Sequence, residues 1–392
     1  MKAPVGSARR RWLQAAAMAA GTAATPRLAA AVPYPGEPHH HPSVDPGRAL
    51  RFPRDFGAHP DFRTEWWYVT GWLSRERLST SATLDRPGAQ ELERGFQVTF
   101  FRVRTAHPAA NPSRFAPTEL VFAHAALMDP ANKGPIHAQR AARRGSPGVE
   151  CSDRDTDVRI GDWRLVRGAD DRYHAVVREA TFGLDLRLAP PGSPGEPAAS
   201  PWLQGDAGFS RKGPQPHQAS RYYSRPQLQV TGTADGRPTR GVAWFDHEWS
   251  TTVLDPAAAG WDWTGINFHD GSALVAFRIR PREGGEAAAP LWRYCALRDA
   301  DGRSRIIEDV RFEPLRHWQS PRSGARYPVA LRIDLPGRSL RLQPLMDDQE
   351  LDGRGSTGTI YWEGAVRVSE ADGRESGLGY LELTGYRDPI RL

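Results

Sequence analysis

The sequence has 392 residues, a length that favours two domains over a single core. With 39% hydrophobic and 25% charged residues, it has the composition of a globular protein, not of a disordered or membrane-spanning one. Five basic and no acidic residues lie within residues 1–31, so most of the formal net charge of +6 belongs there and only +1 remains for the rest. A nearly neutral body gives no electrostatic reason to bind nucleic acid, and we predict no such partner.

Residues 1–31 have the features of an export signal. An arginine pair within Arg9-Arg10-Arg11 precedes an alanine-rich run, and Ala29-Ala30-Ala31 offers a small-residue cleavage site. The arginine pair favours the twin-arginine route. The apolar run is shorter than the roughly 20 residues that a spanning helix needs. We therefore expect a periplasmic or secreted protein whose mature chain has no transmembrane segment.

Residues 32–50 are rich in proline, which predicts a linker. Three adjacent histidines in it, residues 39–41, do not make a preorganised site, and we predict no bound metal. Cys151 and Cys295 lie in no metal-binding or redox spacing. The sequence leaves open whether they form a disulfide or remain free.

Beyond residue 60, hydrophobic and polar residues alternate with period 2 between turn clusters, which predicts β-strands. Segments with a helical period are nearly absent, and Asp-Gly pairs such as Asp235-Gly236 and Asp270-Gly271 indicate hairpin turns. Many short antiparallel strands favour sandwiches or barrels. The predicted strands are Thr64–Leu73, Gly95–Arg104, Glu119–Met128, Asp157–Val166, Tyr173–Leu188, Gln227–Thr233, Thr239–Trp249, Trp261–His269, Ser272–Arg280, Leu291–Arg298, Arg305–Phe312, Tyr327–Leu335, Ser339–Gln343, Thr359–Val368 and Gly379–Tyr386.

A short internal repeat suggests two related halves. Trp66-Trp67-Tyr68-Val69-Thr70-Gly71 is similar to Trp261-Asp262-Trp263-Thr264-Gly265, and Val230-Thr231-Gly232 is similar to Leu383-Thr384-Gly385. Each half would then begin with a tryptophan-rich strand and end with a Thr-Gly strand. We predict domains at residues 51–236 and 237–392.

The segment from Trp244 to Ser250 has the densest group of titratable side chains. Because side chains alternate on a strand, Trp244, Asp246 and Glu248 share one face, and Phe245, His247 and Trp249 share the other. The aromatic neighbours of His247 predict that its face points inward. His247 is then either a general acid/base in an aromatic pocket or a hydrogen-bonded core histidine.

Two further carboxyl groups lie beside tryptophans. Glu65 precedes Trp66 and Trp67, and Asp262 lies between Trp261 and Trp263. A carboxyl group among aromatic rings can stay protonated near neutral pH and act as a general acid. Strand-capping surface carboxylates are the alternative. The tryptophans fill cores and also line sites for long apolar ligands.

Several motifs resemble the carotenoid 1,2-hydratase / AttH-like family over about residues 50–390. They are His59–Gly71, Phe122–Ala125, Ser220–Pro226, Ala243–Ser250, Gly260–Trp263, Tyr327-Pro328, Asp348–Glu350, Tyr361–Gly364 and Gly379–Tyr386. The resemblance implies two tandem lipocalin-like, calycin-type antiparallel β-barrels, and hydratase chemistry: proton-driven addition of water to an isoprenoid double bond without a cofactor. The His-x-Trp element of the hydratases matches His247 and Trp249. Their tyrosine and aspartate have no counterpart on Ala273–Arg280, which holds Phe277 and no acid.

The expected function is therefore binding of a long apolar isoprenoid or lipid in an aromatic pocket, with cofactor-free hydration if the protein is an enzyme. The candidate catalytic residues are His247, Asp246, Glu248 and Asp262. The candidate binding residues are Trp249, Trp244, Trp261, Trp263, Glu65, Trp66, Trp67 and Tyr223. The alternative is a non-catalytic periplasmic carrier that serves an envelope ABC transporter.

Overall fold

The computed structural model describes residues 41–75, 92–107, 111–113, 116–192 and 200–390. The predicted signal and the first part of the predicted linker, to residue 40, lie outside the described residues. Apart from two short 3-10 turns, Arg54–Phe56 and Gly285–Ala287, all regular structure in these ranges is β-strand, so the all-β prediction is confirmed. No helix in the described ranges has the length and hydropathy to cross a bilayer.

The strands form two antiparallel sheets. The first contains β1 (Thr64–Ser74), β2 (Leu92–Arg104), β3 (Glu119–Met128), β4 (Ile136–Arg143), β5 (Val149–Cys151), β6 (Asp157–Ile160), β7 (Trp163–Arg167), β8 (Tyr173–Arg178), β9 (Gly183–Ala189), β10 (Trp202–Leu203), β11 (Phe209–Arg211), β12 (Ala219–Ala234) and β13 (Arg237–Thr252). The second contains β14 (Ala258–Phe268), β15 (Ala273–Pro281), β16 (Trp292–Arg298), β17 (Ser304–Ile306), β18 (Arg311–Gln319), β19 (Arg326–Leu335), β20 (Arg338–Pro344), β21 (Glu350–Gly353), β22 (Thr359–Glu370) and β23 (Glu375–Leu383).

The two sheets repeat one strand order. The first runs β4-β3-β2-β1-β13-β12-β9-β8-β7-β6-β5, and the second runs β17-β16-β15-β14-β23-β22-β20-β19-β18. The tryptophan-rich strands β1 and β14 therefore hold the same place in each sheet. Each sheet curls around its own buried core, which confirms the predicted pair of barrels.

The sequence prediction and the strands differ in several places, among them the split of predicted strand Asp157–Val166 into β6 and β7. The first sheet includes β13, which lies beyond residue 236, so the sheets change between Thr252 and Ala258. The Thr-Gly motifs are not equivalent, because Val230–Gly232 lies on β12 whereas Leu383 ends β23. The predicted strand Tyr173–Leu188 is a hairpin, β8 and β9, with a turn in which Glu179 N–H donates to Phe182 O.

Alternation along the strands produces three layers of buried side chains. Odd-numbered residues of β1 and β13, such as Trp67 and Phe245, fill the first barrel. A second core, including Leu331 and Trp362, fills the other barrel. The outward-facing residues of both barrels, Trp244 and Trp263 among them, form a third apolar layer between the barrels.

The barrels approach each other closely. A Cβ atom at Gly265 of β14 would lie 2.8 Å from the indole of Trp244 on β13, so glycine is needed there. The Trp72 indole N–H donates to Gly379 O at 2.9 Å. Direct hydrogen bonds thus accompany apolar packing between the barrels.

Both cysteines are free and buried, and they lie in different barrel cores. Burial raises the pKa of the Cys295 thiol to about 12 and raises that of Cys151 as well. Of the two alternatives that the sequence left open, the structure has the free thiols.

Candidate functional site

Strand β13 carries the predicted cluster and presents its two faces to different environments. His247 and Trp249 face the packed interior of the first barrel. Asp246 and Glu248 face the layer between the barrels, where they border a cavity. The alternation expected from the sequence is therefore present, and it separates His247 from the two carboxyl groups.

The inner face of β13 is part of a dense polar network. His247 Nε2 lies 2.8 Å from Glu65 Oε1, and its Nδ1 lies 3.1 Å from the Tyr223 hydroxyl. Arg102 Nε donates to Glu65 Oε2 at 2.9 Å, and His59 Nδ1 lies 2.8 Å from Glu65 Oε1. Each of these five residues is at least 97% buried. No open space faces the His247 imidazole, since Trp67 stacks on it with ring centroids 4.8 Å apart.

Opposed effects set the protonation states in this network. Burial alone would raise the pKa of Glu65, but the charges of Arg102 and His59 and the hydrogen bond from His247 hold it well below its usual range. Burial lowers the pKa of His247 to about 4, against the pull of Glu65. Glu65 is thus ionised and His247 neutral near neutral pH.

The same network contains a potential metal-ligand set. His59, Glu65 and His247 offer ligand atoms within 4.8 Å of one another, and no other group of three does so among the described residues. The Arg102 guanidinium already neutralises Glu65, and a cation there would face like-charge repulsion. The donors fit a hydrogen-bond network better than a metal site.

Asp262 has an equivalent role in the second barrel. It lies opposite Arg278 in the β14–β15 pair, just as Glu65 lies opposite Arg102 in the β1–β2 pair. Arg278 and Arg280 donate to it at 2.7 and 2.9 Å, and it is fully buried. Asp262 does not border the inter-barrel cavity.

The cavity between the barrels has a volume of about 330 Å³. Its walls are mostly apolar, and both barrels contribute to them. The polar groups among them are five carboxyl groups, one lysine, one arginine, one histidine, one glutamine and several hydroxyls. The aromatic and aliphatic walls are Trp66, Tyr68, Phe101, Val103, Phe122, Val253, Leu254, Trp261, Trp263, Phe277, Ile279, Tyr361 and Ile390, and the carboxyl residues that border the cavity are Glu65, Asp246, Glu248, Glu363 and Glu382.

Asp246 accepts three hydrogen bonds at one end of the cavity. They come from the Tyr222 hydroxyl at 2.7 Å, the Ser224 hydroxyl at 2.6 Å and the Trp244 indole at 2.7 Å. Burial raises the pKa of Asp246 to about 7, although these donors favour its ionised form. The carboxyl group therefore exchanges its proton near neutral pH.

Glu363 and Glu382 form a facing pair on neighbouring strands. They are directly opposite in the β22–β23 register, where Cβ atoms lie about 5 Å apart. Burial and the charge of Glu382 raise the pKa of Glu363 well above its usual range. Burial also raises the pKa of Glu382 to about 7. Two such groups cannot both ionise cheaply, so the pair retains a proton.

A lysine pairs with one of these carboxyl groups at the cavity wall. Lys212 Nζ lies 2.8 Å from Glu248 Oε1. The ammonium also lies over the rings of Tyr222 and Phe277, 4.5 and 4.1 Å from their centroids. Glu248 is therefore paired, whereas Glu363 has a buried Oε1 with no hydrogen-bond partner.

A sequence model of the AttH-like family matches residues 43–386. The chain belongs to the AttH-like family. Its structure is similar to an AttH protein of Nitrosomonas europaea, with 46% identity and a TM-score of 0.76 over 88% of this chain and 99% of that one. It is also similar to kievitone hydratase from Nectria haematococca, with 13% identity and a TM-score of 0.58 over 87% and 94% of the two chains. No curated protein matches the sequence.

In this AttH-like protein the residues singled out from the sequence fall into four places. Asp246, Glu248, Trp66, Trp261 and Trp263 border the cavity, and so does Glu65, although its carboxylate is bonded inside the first barrel. The first barrel's core holds His247, Trp249, Trp67 and Tyr223. Trp244 packs between the barrels behind Asp246, and Asp262 lies inside the second barrel.

Sequence reasoning missed the facing pair Glu363 and Glu382. A signal was present, since each glutamate interrupts an apolar and aromatic strand, in Tyr361-Trp362-Glu363-Gly364 and Tyr380-Leu381-Glu382-Leu383. A carboxyl group at the centre of a buried strand has to be paired or protonated.

Proposed function

We propose that this AttH-like protein binds an unsaturated apolar molecule, isoprenoid or lipid, between its barrels and adds water to it without a cofactor. The observation that carries the proposal is the protonated carboxyl pair Glu363 and Glu382 at the wall of an aromatic cavity. Such a pair holds a proton at the cavity wall near neutral pH and can act as a general acid. The similarity to kievitone hydratase, a hydratase by name, supports the same reaction class.

The cavity fits the chemistry that follows proton transfer. Donation of the Glu363 proton to a carbon–carbon double bond leaves a carbocation on the neighbouring carbon. The rings of Trp66, Trp261 and Trp263 border the cavity and would stabilise this cation, by about 2 kcal/mol for a desolvated contact. A water molecule then adds to the cation, and the proton that this water loses restores the charge balance.

The volume of the cavity restricts the substrate. About 330 Å³ lies near the lower end of the range for small-molecule sites. A short isoprenoid, or one end of a longer chain, fits such a space, whereas an entire long polyene does not. We therefore propose that the reacting double bond lies near a chain end.

We further propose that the protein acts in the periplasm or outside the cell. This part rests on the arginine pair and alanine-rich run of residues 1–31. Association with an envelope transporter belongs to the carrier alternative, and the experiment below separates that alternative from catalysis.

The test measures binding and turnover in the same preparation. N-phenyl-1-naphthylamine, a neutral fluorescent probe, reports occupation of the cavity, and geraniol and farnesol are offered as substrates in ¹⁸O-labelled water. We expect a product that carries one labelled hydroxyl group. Glu363→Gln should lower turnover by about 100-fold or more and leave probe affinity within twofold.

Glu350→Gln is the matched control, because Glu350 is a buried glutamate of β21 that does not border the cavity. It should leave turnover unchanged. Full turnover in Glu363→Gln would contradict the proposed acid. Probe binding without label incorporation in the unmodified protein would favour the carrier.

A further inference from the structure

A chain of hydrogen bonds leads from the cavity to its partly exposed rim and is not used by the chemistry above. His124, on β3 of the first barrel, places Nδ1 2.7 Å from the Tyr361 hydroxyl on β22 of the second. Its Nε2 lies 2.7 Å from Ser356 Oγ. Ser356 in turn lies 2.7 Å from Gln139 Oε1. Tyr361, His124 and Ser356 all border the cavity.

The partners of Gln139 determine which atom donates in each of these hydrogen bonds. Its Nε2 donates to Asp352 O at 2.8 Å, so its Oε1 is free to accept from the Ser356 hydroxyl. Ser356 Oγ must then accept from His124 Nε2–H, which leaves Nδ1 unprotonated. The Tyr361 hydroxyl therefore donates to His124 Nδ1. Since its only proton is directed away from the cavity, the Tyr361 oxygen presents lone pairs to it.

We propose that Tyr361 is a catalytic residue that binds the attacking water and takes up the proton this water loses, with His124 and Ser356 as positioning residues. The inference deepens the proposed hydration and rests on it. Tyr361 and Glu363 are two residues apart on the same face of β22, about 7 Å along the strand. A double bond between them has the acid on one side and the bound water on the other.

The protons balance along this chain. Glu363 donates its proton to one carbon of the double bond, and the water oxygen forms a bond to the other carbon. The protonated alcohol passes a proton to Tyr361 Oη while the phenolic proton moves to His124 Nδ1. His124 releases its Nε2 proton through Ser356 to solvent, and solvent returns one proton to Glu363.

The surroundings of His124 keep it neutral until that moment. Burial and the neighbouring His137 of β4 lower the pKa of His124 to about 4, while Asp352 of β21 lies on the far side of the same small cleft. The phenol of Tyr361 stays protonated, because burial and the charge of Glu363 raise its pKa. A protonated alcohol is a strong acid, so a weak base of this kind suffices to accept its proton.

The first test needs no substrate. In ¹⁵N-histidine-labelled protein, the resonances absent from His124→Asn identify the His124 ring. We expect Nε2 to be protonated and Nδ1 to be a hydrogen-bond acceptor, with the Nδ1 shift changed in Tyr361→Phe. A ring protonated at Nδ1 would overturn the inference, because Tyr361 would then receive rather than donate the hydrogen bond.

The second test uses the pH profile of labelled-water incorporation into farnesol. Asn at position 124 can accept the Tyr361 hydrogen bond but cannot take up a proton. We expect turnover to fall by about 10- to 100-fold in His124→Asn. The loss of turnover below about pH 4, where His124 becomes protonated, should be absent from this variant. The change in turnover near pH 7 should remain. His174→Asn is the control, because His174 of β8 pairs with Asp185 away from the cavity.

These outcomes separate the two proposals. If the unmodified protein hydrates farnesol and His124→Asn matches its rate and pH profile, the roles proposed for Tyr361 and His124 are contradicted, and the proposed hydration is not. If the unmodified protein hydrates neither farnesol nor geraniol, the proposed function fails and this inference fails with it.

Discussion

Titratable groups cluster on both faces of β13, but their surroundings differ. On the inner face, His247 and Arg102 both pair with the Glu65 carboxylate inside the barrel, and no open space faces the His247 imidazole. On the outer face, Asp246 and Glu248 border open volume together with Glu363. The comparison shows that a dense cluster of charged residues does not by itself mark a site. Free volume and groups held in their less usual protonation state distinguish the outer face.

The largest expected difference between the faces is the loss in the free energy of unfolding when a cation is removed from each. Arg102→Met leaves the buried carboxylate of Glu65 without its guanidinium, and we expect the free energy of unfolding to fall by about 3–5 kcal/mol. Lys212→Met removes the partner of Glu248, which borders the open volume of the cavity, and should cost about 1 kcal/mol. Urea denaturation at neutral pH measures both. Equal losses would contradict the distinction between the faces.

The pH dependence of stability should follow from Asp246. The folded protein keeps this carboxyl protonated up to about pH 7, whereas the unfolded chain releases the proton near pH 4. Its contribution is therefore present below pH 4 and lost as the pH rises to 7, by up to about 4 kcal/mol. Asp246→Asn should show a shallower decline over this range in denaturation at several pH values, and Glu350→Gln should keep the full decline.

A smaller effect is expected for His247, and it should be confined to stability. His247→Leu removes the hydrogen bonds to Glu65 and Tyr223 and should cost about 1–3 kcal/mol in urea denaturation. The affinity for N-phenyl-1-naphthylamine should stay within twofold, because the imidazole does not border the cavity. A tenfold loss of probe affinity in a folded variant would show that His247 contributes to the binding site.

The smallest effect is expected at the cavity wall. Trp66→Leu removes part of an aromatic wall, and probe affinity should fall about fivefold, or about 1 kcal/mol. Trp318→Leu is the control, since Trp318 is half-buried against the second barrel's core and lies away from the cavity. An unchanged affinity in Trp66→Leu would place the probe elsewhere.

The fold was largely predictable from the sequence because strand alternation and Asp-Gly turns are local signals. The strand Glu119–Met128 was predicted to the residue. Strand β4, Ile136-His-Ala-Gln-Arg-Ala-Ala-Arg143, was missed because its residues are weak strand formers and half of them are polar. Pairing with β3 determines its conformation.

The site was less predictable, for a geometric reason. Alternation correctly separated His247 from Asp246 and Glu248, but it cannot tell which face encloses free volume. That depends on how the second barrel packs on the first, through residues more than a hundred positions away such as Tyr361 and Glu363. The aromatic neighbours of His247 correctly indicated that it is buried. In this fold, however, the interior of the barrel is filled by side chains, so a buried residue there does not face a ligand cavity.

The shared wall of the cavity has a consequence for each half taken alone. Because both barrels contribute to the wall, a single barrel has a packed interior and leaves its half of the wall facing solvent, so the enclosed volume exists only where the two barrels pack together. The side chain of a substituted residue at Gly265 would push Trp244 and Trp263 apart at this contact, and would change the cavity without touching either barrel's core.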